Sequence, residues 1–252
     1  MIKVMISGCN GRMGQVVANI VEDNNDIKAV AGADICENPN SPFPVFTDLN
    51  TCDQDIDVII DFSNPAALNN ISDFAKKKNL PLVLATTGFS PEQVKFIEDT
   101  AKVIPVFFSP NLSLGVNLLI DLARKAVKVL EDNFDIEIIE KHHSHKIDAP
   151  SGTALIIANE INKELSNEKE YIYDRHSRRK KRSQNEIGIH AIRCGTIVGE
   201  HSIIFAGNDE IIELTHKSMS KDIFAVGAVK AAKYMIGKKP GLYQMKDLIK
   251  NS

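Results

Sequence analysis

The chain has 252 residues, 43% of them hydrophobic, and a formal net charge of −3. That is enough apolar content for one large or two modest cores, and the slight acidity argues against a global role on nucleic acid or an anionic membrane. No apolar run is long enough to cross a bilayer, and the four cysteines (Cys9, Cys36, Cys52, Cys194) show no paired spacing, so they read as reduced cytosolic thiols rather than a disulfide frame or zinc site.

Residues 2–7 form a β-rich run. Residues 1–8 therefore read as a strand and glycine turn, and no signal peptide is expected. Gly8, Gly11 and Gly14 follow and open an amphipathic helix reaching about Glu22. A second strand covers 27–33. Apolar runs at 58–62, 82–85 and 104–108 alternate with helical stretches at about 65–78 and 91–102. Strands alternating with helices predict crossover units in a doubly wound parallel sheet, and the uniformly apolar later strands fit a sheet covered on both faces.

Beyond Pro110 the pattern changes. A helix is expected over 116–130, then strands at 135–141, 188–193, 202–206 and 210–215. Consecutive strands without intervening helices predict an α+β domain with a mixed or antiparallel sheet. A last helix over 223–236 is expected to return to the first domain. The boundaries that follow are 1–113, completed by 222–252, for a dinucleotide-binding domain, and 114–221 for a substrate-binding and oligomerisation domain.

The glycine spacing Gly-x-x-Gly-x-x-Gly sits between a strand and a helix, where missing side chains let a pyrophosphate approach the backbone at the helix N-terminus. Asp34 ends the second strand, where an acidic side chain meets the ribose hydroxyls of a dinucleotide. The next residue is Ile35, so no adjacent cation would greet a 2′-phosphate. Ala85, Thr86 and Thr87 follow one strand, and Ser109, Pro110, Asn111 and Leu112 follow another. Loops beyond the carboxyl ends of parallel strands point to a common crevice.

The densest chemistry lies at 142–148, where His142, His143, His145, Lys146 and Asp148 crowd together. Imidazole titrates near neutral pH and lysine supplies a proton and a fixed charge, so the cluster suits proton transfer to an anionic substrate. Metal ligation is disfavoured, because no cysteine or Glu-x-x-His pattern accompanies the histidines and Lys146 would repel a cation. Pro150, Ser151, Gly152 and Thr153 read as a helix start whose N–H groups suit a carboxylate. The basic run 175–182 admits a nucleic-acid reading, but without interleaved aromatics it reads as a solvated loop.

Three segments together closely resemble the dihydrodipicolinate reductase family, also called 4-hydroxy-tetrahydrodipicolinate reductases. They are Gly-x-x-Gly-Arg-Met-Gly at 8–14, Ala-Thr-Thr-Gly-Phe at 85–89, and Glu-Ile-Ile-Glu-x-His-His-x-His-Lys-x-Asp-Ala-Pro-Ser-Gly-Thr-Ala at 137–154. The runs 195–201 and 214–217 look like that family as well. The resemblance implies a Rossmann-like cofactor domain, a substrate domain, and a homotetramer built through the second domain's sheet. It also implies a cytoplasmic enzyme of lysine and diaminopimelate synthesis that reduces a small cyclic dicarboxylate with loss of water. Position by position, it implies His142 as general acid/base, Lys146 as proton donor, His143 as a substrate contact, and Ser151, Gly152 and Thr153 as the substrate cradle. The cofactor would touch Gly8, Cys9, Asn10, Gly11, Arg12, Met13, Asp34, Ala85, Thr86, Thr87, Ser109, Pro110, Asn111 and Leu112.

Three departures stand out. Ala85 replaces a glycine of many members, the run 175–182 does not match the family's glycine-containing loop, and Ile35 replaces a basic residue of some members. The last makes NADH the expected cofactor, with NADPH second. Two other readings remain at this point: another two-domain nicotinamide oxidoreductase, and a non-catalytic dinucleotide sensor that uses its basic run on DNA.

Overall fold

Short runs of Val, Ile and Leu build the first unit. The computed structural model describes residues 1–131 and 133–250, in two compact units. The first comprises Met1–Leu114 and the C-terminal segment from Asp222; the second is Gly115–Lys221.

In the first unit the chain runs β1 (Ile2–Ser7), α1 (Arg12–Glu22), β2 (Ile27–Ala33), β3 (Val45–Phe46), β4 (Val58–Asp61), α2 (Leu68–Lys78), β5 (Leu82–Leu84), α3 (Pro91–Ala101) and β6 (Pro105–Phe108). The second unit carries α4 (Leu114–Leu130), whose first residue belongs to the first unit, then β7 (Asp135–His142), α5 (Gly152–Asn162), β8 (Glu170–Ile172), β9 (Glu186–Arg193), β10 (Gly199–Ala206) and β11 (Ile211–Ser218). The chain closes in the first unit with α6 (Ile223–Met235), β12 (Gly241–Tyr243) and α7 (Met245–Lys250).

The first sheet has seven parallel strands in the order β12-β6-β5-β4-β1-β2-β3. This is a doubly wound, Rossmann-like arrangement whose order reverses beside β1. Alternation along β1 explains its two faces. Val4 and Ile6 pack with Val17 and Val21 of α1 and Ala228 and Val229 of α6. Met5 packs on the other face with Leu68, Ile71 and Phe74 of α2 and Ile97 of α3. Every residue of β4 and β5 is buried, as strands covered on both faces require.

Local signals set the helix ends. Ser90 and Gln93 form a reciprocal capping box with Pro91 in the first turn of α3. Asn79, left-handed at φ 53°, ends α2 after three lysines placed at its negative pole. Gly227 is required where α6 meets the loop between β6 and α4, because a Cβ there would lie 1.8 Å from the Leu112 carbonyl oxygen.

The second sheet has five strands, ordered β11-β10-β7-β9-β8, with antiparallel pairs on one side of β7 and parallel pairs on the other. It is therefore mixed. One face packs on α4 and α5 through Ile136, Ile138, Ile203 and Phe205 against Leu119, Ala123, Ile157 and Ile161.

Strand β2 covers the expected 27–33, with Asp34 the first residue beyond it. Two features go beyond the sequence readings. Strands β3, β8 and β12 have two or three residues each, too short for periodicity to reveal. The basic run 175–182 is not simply a solvated loop. Arg175 pairs with Glu137 and Glu186, Arg178 with Glu170, and Arg182 with Asp135 and Glu137. Arg182 also donates to the carbonyls of Ile136 and Glu186. These cations neutralise an acidic row on the strands.

Candidate active site

In the first unit, β1 delivers the chain to Gly8, whose φ of +75° and close approach to the Phe62 carbonyl (2.7 Å from a Cβ) only glycine tolerates. A Cβ at Gly14 would lie 2.1 Å from the Gly8 carbonyl oxygen, so the helix can begin directly over the turn. No side chain caps the N-terminus of α1 and no acidic residue lies in its first turn. A helix start left this way presents N–H groups and a positive dipole end to an anion.

Asp34 ties this turn to the end of β2. Its carboxylate accepts the N–H of Asn10 at 2.9 Å and of Ile35 at 2.8 Å. The Asn10 side chain donates to the Cys36 carbonyl at 2.8 Å and accepts from Asn38 at 3.1 Å. Beside these residues is a cavity of about 730 Å³ lined by Gly8, Gly11, Asp34 and Ile35, a size suited to part of a dinucleotide. Its wall also includes Thr47, Asp48, Phe62, Ser63, Asn64 and Lys77, none singled out by motif. The signal that finds the loop 62–64 is its position at the carboxyl end of β4, next to β1.

Other expected cofactor residues occupy different environments. Cys9 is buried, and burial, with the Asp34 carboxylate as a second cause, pushes its thiol up to about 11. Cys9 can therefore contribute backbone only. Thr86 is buried and donates to Asp61 at 2.7 Å, while Ser63 donates to the other oxygen of Asp61 at 2.6 Å. Asp61 thus couples the loops after β4 and β5. Ala85, Thr86, Thr87 and the segment from Ser109 to Leu112 follow β5 and β6 on the same carboxyl edge of the sheet but do not line this cavity; nor do Cys9, Asn10, Arg12 and Met13.

In the second unit the site is built on the last two turns of the pleat in β7. Glu140 and His142 lie on its buried face. The Glu140 carboxylate is fully buried and has three partners. Arg193 of β9 grips both oxygens at 2.7 Å, His142 Nδ1 lies at 2.7 Å, and the Ser151 N–H donates at 2.9 Å. Burial raises this carboxyl, but the bonds from Arg193, His142 and Ser151 outweigh it and hold the group below the usual range. An ionised Glu140 keeps a proton on Nδ1 of His142, which leaves Nε2 as the end available for proton exchange.

His201 of β10 lies opposite Glu140 across the strand pair, and its ring meets that of His142 edge-on at 5.3 Å. Burial, reinforced by His142, depresses its pKa to about 4. It is therefore neutral near pH 7, and its Nε2 lies 3.0 Å from the Ser151 hydroxyl. That hydroxyl also accepts the Ala154 N–H at 3.1 Å and so caps α5. Ser151 is 2% exposed, with its N–H on Glu140 and its hydroxyl shared between Ala154 and His201. These polar groups hold the helix start in place.

Gly152 is exposed and Thr153 half-buried at that start. His143 is half-buried, and burial together with Lys221, His142, His145 and Lys146 lowers its pKa. His145 is exposed. The Lys146 ammonium lies 2.7 Å from the Asp148 carboxylate, and this contact, with the N–H of Gly152, holds the Asp148 carboxyl below the usual range. Among the described residues no set of three or more His, Cys, Asp or Glu side chains is arranged for a metal ion, and no helix is long and apolar enough to cross a membrane. Glu140, Arg193 and His201 were not legible as site residues from motif spacing alone.

Comparison with known proteins adds the following. Residues 2–112 match the family model for the dihydrodipicolinate reductase N-terminus, and residues 115–249 match that for the C-terminus. A 4-hydroxy-tetrahydrodipicolinate reductase of Caldanaerobacter subterraneus subsp. tengcongensis is 52% identical over 250 residues, covering 99% of both chains. One from Clostridium tetani is 48% identical over 252 residues, covering 100% of this chain and 98% of its own. The solved structure of a dipicolinate-bound dihydrodipicolinate reductase from Paenisporosarcina sp. TG-14 superposes with a TM-score of 0.81 at 28% identity, covering 97% of each chain. A probable dehydrogenase from Thermotoga maritima, 12% identical, shares the fold alone, with a TM-score of 0.64 over 98% of this chain and 92% of its own.

The geometry sets two expected outcomes. Glu140→Gln keeps the shape but removes the charge that Arg193 and His142 face, and should cost about 3–5 kcal/mol of stability, with turnover lost in the folded fraction; urea unfolding with parallel rate assays measures both. His201 is depressed from an ordinary 6.5 to about 4, so the unfolded chain takes up its proton first. The stability it contributes is complete above about pH 6.5 and is lost on acidification towards pH 4, by roughly 3 kcal/mol at most. The shift in urea midpoint between pH 7 and pH 5 should shrink in His201→Gln.

Proposed function

Because this chain belongs to the dihydrodipicolinate reductase family, we propose that it catalyses the nicotinamide-dependent reduction of 4-hydroxy-tetrahydrodipicolinate to tetrahydrodipicolinate in lysine and diaminopimelate synthesis. One hydride and one proton enter and one water leaves. The observation that carries the residue assignment is the buried Glu140–His142 pair beside the start of α5 and the Lys146 ammonium.

The first unit fits a dinucleotide. The Cβ-free approach at Gly8 and Gly14, the uncapped start of α1 and the Asp34 carboxylate beside a cavity of about 730 Å³ match a pyrophosphate and an adjoining ribose. The bound reduced nicotinamide supplies the hydride. Backbone N–H groups at Gly11, Arg12 and Met13 would hold the pyrophosphate, with Cys9 and Asn10 in the same turn. Ala85, Thr86, Thr87 and the segment from Ser109 to Leu112 line the sheet edge toward the nicotinamide end.

The second unit supplies the proton chemistry. Lys146 brings a positive charge to an anionic ring and donates a proton. His142, fixed by Glu140 through Nδ1, exchanges protons through Nε2 as general acid/base. His143, whose pKa is lowered, contacts the substrate as a neutral hydrogen-bonding group. Gly152 and Thr153 hold a substrate carboxylate at the helix start. Fixing the ring this way removes orientational freedom before the hydride moves, which supplies much of the acceleration in such transfers.

The assembly we infer is a homotetramer built through the face of the second sheet that α4 and α5 leave uncovered. That face carries Ile139 and Ile204, and the edge strand β11 adds exposed Ile211 and Ile212. Cytoplasmic residence fits four unpaired thiols. The DNA-sensor reading loses support, because Arg175, Arg178 and Arg182 of the basic run face carboxylates of their own chain.

Lys146→Ala should lower kcat by a factor on the order of 100 or more while leaving cofactor binding nearly unchanged. Steady-state rates with enzymatically generated substrate, beside fluorescence titration of the cofactor, decide it, and near-normal turnover would remove Lys146 from the mechanism. The cofactor preference is for NADH, because Asp34 repels a 2′-phosphate and Ile35, 92% exposed, offers no cation. NADPH would be served by Lys77 on the cavity wall. Ile35→Arg should improve kcat/KM with NADPH by roughly 1–2 kcal/mol, and Lys77→Ala should lower it with little change for NADH.

A further inference from the structure

Strand β4 is buried along its whole length, as Val58, Ile59, Ile60 and then Asp61. Its last residue is thus a carboxylate, placed at the carboxyl end of a parallel strand, where open sheets of this kind meet their ligands. Asp61 is 1% exposed. One of its oxygens accepts from the Ser63 hydroxyl at 2.6 Å and the Ser63 N–H at 3.3 Å, and the other accepts from the Thr86 hydroxyl at 2.7 Å. All three donors are neutral. A buried carboxylate served by neutral donors costs more than an apolar side chain in the same place, so packing does not account for it.

The two sides of Asp61 differ in what else holds them. On one side, the Phe62 N–H donates to the Ser7 carbonyl at 2.9 Å, which ties the residue before Ser63 to the end of β1. On the other, the Asp61 carbonyl accepts the Ala85 N–H at 2.9 Å. Among the described residues, both hydrogen bonds made by segment 85–88 end on Asp61, one on its backbone and one on its side chain. We propose that Asp61 is the positioning residue of the nicotinamide end: anchored through Ser63, its carboxylate fixes through Thr86 where segment 85–87 holds the reduced ring. This rests on the assignment of that segment to the nicotinamide. Asp34 bonds Asn10 and Ile35, in the turn assigned to the pyrophosphate and ribose, and not Thr86. Loss of the Asp61–Thr86 contact therefore appears in hydride transfer, which depends steeply on the placement of the ring, and not in cofactor affinity.

The test compares Asp61→Asn, Asp61→Ala and Thr86→Val by thermal unfolding, by fluorescence titration of NADH, and by single-turnover oxidation of bound NADH with enzymatically generated substrate. Asparagine keeps the size and one acceptor oxygen, and a hydroxyl accepts as well as donates, so the amide can make both bonds. Asp61→Asn should transfer hydride within about threefold of the wild-type rate. Asp61→Ala and Thr86→Val should each be slower by a factor on the order of ten, with the NADH dissociation constant changed by less than about twofold. The double variant should be no slower than Asp61→Ala. A wild-type rate in either Asp61→Ala or Thr86→Val would overturn the inference, as would an Asp61→Asn as slow as Asp61→Ala. A slow Thr86→Val beside a wild-type Asp61→Ala leaves the segment assigned to the nicotinamide, whereas wild-type rates in both remove that assignment as well. If Asp61→Ala does not fold, Thr86→Val, which keeps the side-chain shape, decides alone. No NADH oxidation by the wild-type chain with this substrate would instead remove the proposed reaction.

Discussion

The buried Glu140 carboxylate is the constraint on which the second unit's site depends. A charge taken fully out of water is tolerated only when each lone pair finds a donor. Glu140 meets that demand with Arg193 from β9, His142 from its own strand and the Ser151 N–H from the start of α5. One desolvated group therefore fixes the tautomer of an imidazole, the register of two strands at their ends, and the position of a helix N-terminus. His201 extends the arrangement. As a neutral ring it can accept from the Ser151 hydroxyl, which frees that oxygen's lone pairs to cap α5. The groups proposed for proton chemistry and for the anion cradle share one connected set of bonds.

The first unit solves a different problem, that of bringing an anion against backbone. It does so by omission: no Cβ at Gly8 or Gly14, no cap on α1, and no acidic residue in the helix's first turn. The one acid nearby, Asp34, is spent partly on the turn itself through the Asn10 N–H. The carboxylate proposed to discriminate a ribose from its 2′-phosphate thus also holds the turn proposed to face the pyrophosphate. A substitution at Asp34 made to change cofactor choice would loosen that turn.

Much of this was readable in the residue order, for physical reasons that differ by element. Parallel strands buried on both faces announce themselves as unbroken apolar runs, which is why β4, β5 and β6 were legible. The glycine turn and the helix start at Ser151 carry local signatures, because backbone geometry there admits few residues. The crowding of His142, His143, His145 and Lys146 was visible because no packing need explains it. What stayed hidden was pairing across distance. Glu140 reads as one more strand residue until Arg193, 53 residues further along, closes on it. Arg175, Arg178 and Arg182 looked like part of a free basic run because the acids they neutralise lie on strands on either side of them in sequence. Ser151 read as a capping hydroxyl at a helix start, and only the neighbouring strand showed that His201 shares it.

Arg193 has a consequence for how this protein can change over time. Its guanidinium serves both the Glu140 carboxylate and the Asp148 carbonyl, so a substitution there strands a buried charge and releases a loop in one step. No single replacement at Glu140 or Arg193 leads through a folded, working intermediate; an exchange of the pair needs two simultaneous changes at codons far apart. Lineages carrying this fold should therefore keep these two positions fixed together.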